Sequence, residues 1–254
     1  MHHPHCTRRE LFNIGGRVLV GSILLSALPA SPEAQAQEAI NWRNTFREVP
    51  KGGSGKVKEL EGVAFAGQRA LKVGDTVNSG EQLRVTKNGK LVVSSSDGAI
   101  FQMKGEAVID YHIGTNKSGI MNLVLGQILA VVPSGHRYLV AGPTATIGIK
   151  GTVVFRQIFR EDEMDARAMQ GKTYTRPRNL TDYFCTCNGE VDFLRNNDKS
   201  VITSDKAVAH SSSFLDGSNA KLLAKAPMIN HFDRDIGHII DIQDGPKHDR
   251  SFLK

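Results

Sequence analysis

No apolar run in this sequence is long enough for a membrane helix. The longest, within residues 18–30, reaches about 13 residues, where a hydrocarbon core of roughly 30 Å needs about 20. There are three cysteines and no Cys-x-x-Cys spacing, so thioredoxin-like redox chemistry and c-type haem attachment lack support. Ser94-Ser95-Ser96-Asp97 and Ser211-Ser212-Ser213 lack the Gly-x-Ser-x-Gly elbow of a serine hydrolase. Asp75 and Asp97 stand in turn sequences, where Asp bonds local backbone, which argues against a glycosidase carboxylate pair. Lys51-Gly52-Gly53-Ser54-Gly55 has no Lys-Ser/Thr pair opening a helix, so it reads as a flexible joint and not a phosphate cradle. The basic residues outnumber the acidic by 32 to 26 but are scattered, which gives nucleic acid no stripe to follow. The absences favour a protein that is not an enzyme.

What is present is a β pattern. Between Gly62 and Phe155, short apolar runs alternate with glycine turns. Leu91-Val92-Val93-Ser94, Ala99-Ile100-Phe101-Gln102-Met103, Val108-Ile109-Asp110-Tyr111, Met121-Asn122-Leu123-Val124-Leu125 and Arg137-Tyr138-Leu139-Val140 are such runs. Asn88-Gly89, Asp97-Gly98, Lys104-Gly105, Ser134-Gly135 and Gly142-Pro143 lie between them. Runs recurring every 8–12 residues or so, each closed by turn chemistry, predict an all-β sandwich, barrel or solenoid. No long i, i+3, i+4 stripe competes with that reading in this window. Further on, Asp182–Cys187 reads as a strand, Asn188-Gly189 as a turn and Glu190–Leu194 as the next strand. Ser200–Phe214 supplies one or two more. Small helices are expected in the tail, over Lys221–Lys225 and over Asp233–Ile242 with Asp233 as cap.

Several of these segments resemble the FecR-like domain. Gly74–Thr86 is similar to its opening stretch, Asp97–Met103 to its Asp-Gly hairpin and Met121–Ile128 to its strand pair around Gly126. Pro143–Val154 resembles its most specific signature, which ends on Gly151-Thr152. Gly142 departs from the threonine usual before that proline. The resemblance implies a module over residues 56–215, with residues 160–181 as an enlarged hairpin loop and residues 216–254 as a C-terminal tail. It makes Asp97, Gly98, Gly126, Pro143, Gly151 and Thr152 structural motif residues. In the family this module senses an outer-membrane receptor and passes the signal through a membrane helix. Here only a short leader precedes the module, so a soluble binding or assembly module is expected, with a protein partner or an envelope glycan. A signalling protein retained by its N-terminal segment is the alternative.

Residues 1–36 read as a signal peptide, followed by a flexible segment over 37–55. Thr7-Arg8-Arg9 is a basic start, Val18–Leu28 the apolar stretch, and Ala34-Gln35-Ala36 a small-x-small cleavage site. The paired arginines also fit twin-arginine export. The expected location is the periplasm, the cell surface or the medium. Cleavage removes Arg8, Arg9 and Arg17 against Glu10 and Glu33, lowering the net charge of +6 by one. It also removes Cys6 and leaves Cys185 and Cys187, an even count that suits an oxidising compartment.

Cys185-Thr186-Cys187 is the sharpest chemical feature. In a strand, positions i and i+2 share a face. The two thiolates could take two corners of a tetrahedral metal site, with His210 and His231 as the others. They could instead form a strained disulfide, or pack as small hydrophobes. The metal reading demands that His210 lie beside the thiol face and that His231 fold back from the tail, so plain packing without a cofactor is the expectation. Asn230-His231-Phe232-Asp233 resembles a segment that accompanies Cys-x-Cys in some exported FecR-like proteins. His112, His136 and His238 are isolated and read as surface or cap residues.

N-terminal sequencing of the exported protein should begin at or near Gln37. An intact N-terminus in a membrane fraction would contradict the leader and favour the anchored signalling protein.

Overall fold

The computed structural model describes residue 42 and residues 46–168, 171–197, 199–217, 223–244 and 247–253. The leader expectation lies outside these residues. In chain order the strands are β1 Ser54–Glu61, β2 Ala64–Ala66, β3 Arg69–Ala70, β4 Thr76–Asn78, β5 Gln82–Val85, β6 Lys90–Ser95, β7 Ile100–Ile113, β8 Ser118–Val131, β9 Arg137–Ala141, β10 Thr146–Ile149, β11 Val153–Ile158, β12 Asp165–Arg167, β13 Thr173–Thr175, β14 Asp182–Leu194, β15 Val201–Ala207, β16 Ser211–Leu215 and β17 Leu223–Lys225. A helix, α1, spans Asp233–Asp241. The fold is all-β, as the glycine-punctuated runs predict. No helix among the described residues is long and apolar enough to cross a membrane.

Fifteen strands form one sheet, and β12–β13 a separate ribbon. Neighbours are antiparallel except β8 and β9. The sheet closes on itself because long strands change partner halfway. β8 pairs β9 with its first half and β11 with its second. β14 pairs β11 and β16 with its first half, then β10 and β15 with its second. The ring β8–β9–β10–β14–β11 is therefore closed. Asn188-Gly189 is accordingly not a turn: the strand runs through, and Gly189 (φ +104) lies where partners change on both edges.

Alternation sorts the apolar residues onto two buried faces. Leu91, Val93, Ile128, Ala130 and Val154 enter the inner core. Their neighbours Val92, Leu129, Val131, Val153 and Phe155 join Tyr183, Cys185, Cys187 and Phe214 in an outer core. The C-terminal segment covers this outer face with Ile229, Ile236, Ile239, Ile240 and Phe252. Phe252 is buried, so the chain is held against the outer face to near its C-terminal end. The ribbon β12–β13 lies in the connection between the paired strands β11 and β14, and Ala166 and Leu180 from that connection enter the same outer core.

The predicted helix over Lys221–Lys225 is also corrected. Lys221 and Leu222 lie outside the described residues, and Leu223–Lys225 form β17 on β16. The α1 helix is present, but its N-cap is Phe232, whose N–H donates to the Asp235 carboxylate (3.2 Å). Asp233 accepts from His210 Nε2 instead (2.7 Å).

The motif residues shape the turns. Gly98 (φ +92) closes the β6–β7 turn, where Asp97 accepts the Ala99 N–H (3.2 Å). Gly126 lies within β8 against Glu106 and Ala107. Pro143 lies between β9 and β10. Thr152 donates to the Glu190 carbonyl (2.8 Å). Gly151 adopts φ +71, and a Cβ there would stand 2.6 Å from Ser134 Cα, so glycine is required on two counts. Gly142 gives way to the Arg156 guanidinium, which fills the space its Cβ would need. That guanidinium is fully buried. It pairs with Asp182 through Nε and Nη2 (3.0 and 2.7 Å) and donates to the Val140 and Ala145 carbonyls.

The flexible-joint reading of Lys51–Gly55 is overturned. The Gly53 N–H donates to Ile113 O (2.9 Å), and a Cβ on Gly53 would meet that same oxygen at 2.7 Å. Trp42, expected in a flexible segment, is fully buried and donates to Asp192 (2.6 Å).

Denaturant titration should therefore show Gly53→Ala and Gly151→Val both destabilised by more than about 1 kcal/mol, against no change for the exposed Val208→Ala. Asp182→Ala, which strands a buried guanidinium, should cost about 3–5 kcal/mol. Wild-type midpoints for either glycine variant would contradict the close approaches.

Candidate metal centre

Four chain segments meet beneath the C-terminal cover. Cys185 and Cys187 project from β14 onto the outer-core face, flanked by β11 and β16. The β14–β11 register slips at this point: Val153 opposes Asn188 and Val154 opposes Thr186, leaving Cys187 as the extra, bulged residue. Bulges re-aim side chains and gather near functional sites. His210 sits in the β15–β16 turn at φ +43, a left-handed conformation uncommon for a side chain of this size, held by its N–H on the Cys187 carbonyl (3.0 Å). His231 arrives from the segment before α1. Tyr183 fixes that segment by donating to Pro227 O (3.1 Å) and accepting the Ile229 N–H (3.2 Å). Asn230, at φ +57, ties it to the β12–β13 ribbon through Arg167 (2.7 Å) and to Gln157 (2.8 Å).

One ligand atom from each of Cys185, Cys187, His210 and His231 lies within 4.8 Å of the other three. The demanding convergence weighed in the sequence is thus met. A tetrahedral ion with Zn–S of about 2.3 Å and Zn–N of about 2.0–2.1 Å needs S···S edges near ~3.8 Å and S···N edges near ~3.6 Å. The thiols stand 3.8 Å apart, and Cys185 Sγ stands 3.6 Å from His210 Nδ1. Both thiols are free, so no bridge joins them.

The imidazoles are held in the tautomers that coordination needs. His231 Nδ1 faces the Ile229 carbonyl (2.7 Å) and must donate to it, which leaves a lone pair on Nε2. That Nε2 is buried and has no hydrogen-bond partner. The ring is pinned by stacking on Phe155 (4.2 Å between centroids). His210 Nε2 donates to the Asp233 carboxylate (2.7 Å), so Nδ1 turns its lone pair to the thiols. A carboxylate or carbonyl behind each ligating histidine is the usual outer support of a metal site.

Electrostatics agree with a cluster prepared for a cation. Burial pushes the Cys185 thiol up, but the adjacent Cys187 and the neighbouring imidazoles outweigh it and hold Cys185 well below the ordinary thiol range. Burial and the neighbouring Cys185 raise Cys187. Burial lowers His210, yet Cys185 and Asp233 together lift it above its usual value.

Other histidines stay outside. His136 is buried against the Asp97 carbonyl (2.8 Å), a core position that the sequence reading did not foresee. His238 meets Glu59 on the surface (2.8 Å). Asp233 is the functional residue that sequence reasoning misassigned: it was read as a helix cap, and its spacing from His231 was the available signal.

No protein-family profile matches the sequence, and no curated protein matches it. Among solved structures, a candidate anti-sigma factor from Parabacteroides distasonis ATCC 8503 aligns with a TM-score of 0.35 and 14% identity, over 61% of this chain and 57% of that one. The chain thus spans little more than half the length of that protein, and a likeness this slight says nothing of function.

If Asp233 orients His210, Asp233→Asn should weaken metal affinity about 10–100-fold in competition titration, while leaving the far-ultraviolet spectrum unchanged. Unaltered affinity would remove Asp233 from the site.

Proposed function

We propose that the chain is an exported, non-enzymatic FecR-like β module whose C-terminal segment is fastened by a structural zinc ion. It acts in the periplasm or at the cell surface by binding a partner. The observation that carries the metal reading is the buried, unpartnered His231 Nε2 among two thiols and a second imidazole at tetrahedral spacings. Two thiolates and two imidazoles are a borderline-soft set that suits Zn²⁺. The protein fills all four positions, leaving none for water or substrate, which is the pattern of a structural site and not a catalytic one. When bound, the ion supplies charge neutralisation and a cross-link; it supplies no reaction.

The ligands come from β14, the β15–β16 turn and the segment entering α1. The ion thus joins the closed sheet to the piece of chain that covers its outer face, and metal binding becomes folding free energy. The FecR-like motifs and the absence of hydrolase or redox signatures support the non-enzymatic part of the reading. The leader sequence supports export.

Native mass spectrometry of the purified protein should show one zinc per chain, lost in Cys187→Ser and in His231→Ala. Zinc at 1,000-fold over its Kd stabilises by about 4 kcal/mol. At this size that corresponds to a fall in Tm of about 10 °C on stripping with chelator. A metal-free native protein whose Tm ignores chelator would leave packed thiols. A Tm that falls with reductant instead would indicate a bridge.

A further inference from the structure

We propose that the metal centre is a redox switch: a small peroxide oxidant joins Cys185 to Cys187, the ion is expelled, and the C-terminal cover loosens from the outer face of the sheet. This deepens the zinc reading above and rests on it.

The two sulfurs sit on unequal supports. Cys185 is in register on both edges of β14, opposite Phe155 of β11 and Ser212 of β16. Cys187 has a register partner on neither edge: β11 skips it, the β16 pairing stops at Thr186, and the β15 pairing starts at Gly189. The bulged Cys187 is therefore the residue whose backbone can shift. Its sulfur has to close from 3.8 Å to the roughly 2.0 Å of a bond. The Cys187 carbonyl holds the His210 N–H (3.0 Å), so the shift pulls on a third ligand. Both sulfurs leave the donor set in one event. The two imidazoles that remain are half of what a structural zinc needs.

The chemistry balances with hydrogen peroxide as the oxidant. One thiolate attacks a peroxide oxygen; an S–O bond forms, the O–O bond breaks and hydroxide leaves. The second thiolate attacks that sulfenic sulfur; the S–S bond forms, the S–O bond breaks and a second hydroxide leaves. The two thiolates lose two electrons, the peroxide gains them, and zinc departs as Zn²⁺ with its charge unchanged. A bridge between strand positions i and i+2 is strained, and strained bridges are the readily reduced, regulatory kind. Thiol reductant and zinc therefore reverse the step.

Access favours a small, neutral oxidant. Both thiols are fully buried. A cavity of about 10 Å³, room for one water-sized molecule, touches Phe155 and His231. It shares Lys104 and Gln127 with a surface cleft of about 410 Å³. Hydrogen peroxide, uncharged and with two heavy atoms, is near that scale; glutathione disulfide is far beyond it. The effect of oxidation falls on the cover. Ile229, Ile236, Ile239 and Ile240 pack in the same outer core as the two cysteines. Asp233, which opens α1, is held on His210 (2.7 Å). Without the ion, the start of α1 loses its tie to β14 and to the β15–β16 turn, and local opening of the helix becomes easier.

Treatment of the zinc-loaded protein with hydrogen peroxide tests the proposal, with released zinc read by a chromogenic chelator and the thiols by mass spectrometry. One zinc per chain should appear together with a Cys185–Cys187 bridge. Amide hydrogen exchange over residues 233–241 should then rise about tenfold or more. Reductant with added zinc should restore the metal content and the slow exchange, and glutathione disulfide should release no zinc. Loaded protein that keeps its ion and reduced thiols in peroxide overturns the switch and leaves the zinc reading standing. Sulfinic acid formed without a bridge also overturns it. A bridge and zinc loss with unchanged exchange over 233–241 overturn the loosening of the cover. Zinc release by glutathione disulfide as fast as by peroxide overturns the selection for a small oxidant. A protein that neither carries nor takes up zinc overturns the zinc reading and the switch together.

Discussion

The closed sheet has two apolar faces, and only one can face its own interior. Alternation along β6, β8, β11 and β14 sends half of their large side chains inward and half outward. The outward half must be covered, because burying apolar surface is the dominant favourable term in folding. The cover is a short piece of chain with one nine-residue helix, too short to hold by its own helix-forming tendency. Its attachment to the sheet is therefore the contact on which the architecture depends. Tyr183, Asn230 and the Cys185–Cys187–His210–His231 cluster supply that attachment, all within the span where the cover first meets β11 and β14.

The inner face was largely legible in the sequence. Glycine turns at Asp97-Gly98 and the need for glycine at Gly151 follow from local chemistry, and strands of period two follow from the apolar pattern. What failed were features decided by distant chain. Asn188-Gly189 has the composition of a hairpin turn, yet β14 runs through it because β16 gives way to β15 on one edge while β11 gives way to β10 on the other. Gly53 has the composition of a linker, but its missing side chain admits the Ile113 backbone. Glycine marks both freedom and close approach, and composition does not separate the two.

The candidate site divides the same way. That Cys185 and Cys187 share a face is a local consequence of strand geometry. That His210 and His231 reach them depends on a left-handed turn, a bulge and the return of the tail, all of which are tertiary. Asp233 was hidden behind a plausible role as a cap, since an acidic residue at a helix start is favourable for either purpose. Under the export proposed above, the Cys-x-Cys pair carries a chemical constraint: two buried sulfurs 3.8 Å apart survive unbridged in an oxidising compartment most readily when a cation occupies their lone pairs.

X-ray absorption at the zinc edge of the protein as isolated tests this account most directly, because it reads the ligand shell and not a consequence of it. The account predicts four-coordinate zinc with two sulfur neighbours at about 2.3 Å and two imidazole nitrogens at about 2.0–2.1 Å. Zinc absent from the protein, or present in a shell of oxygen and nitrogen without sulfur, would contradict it.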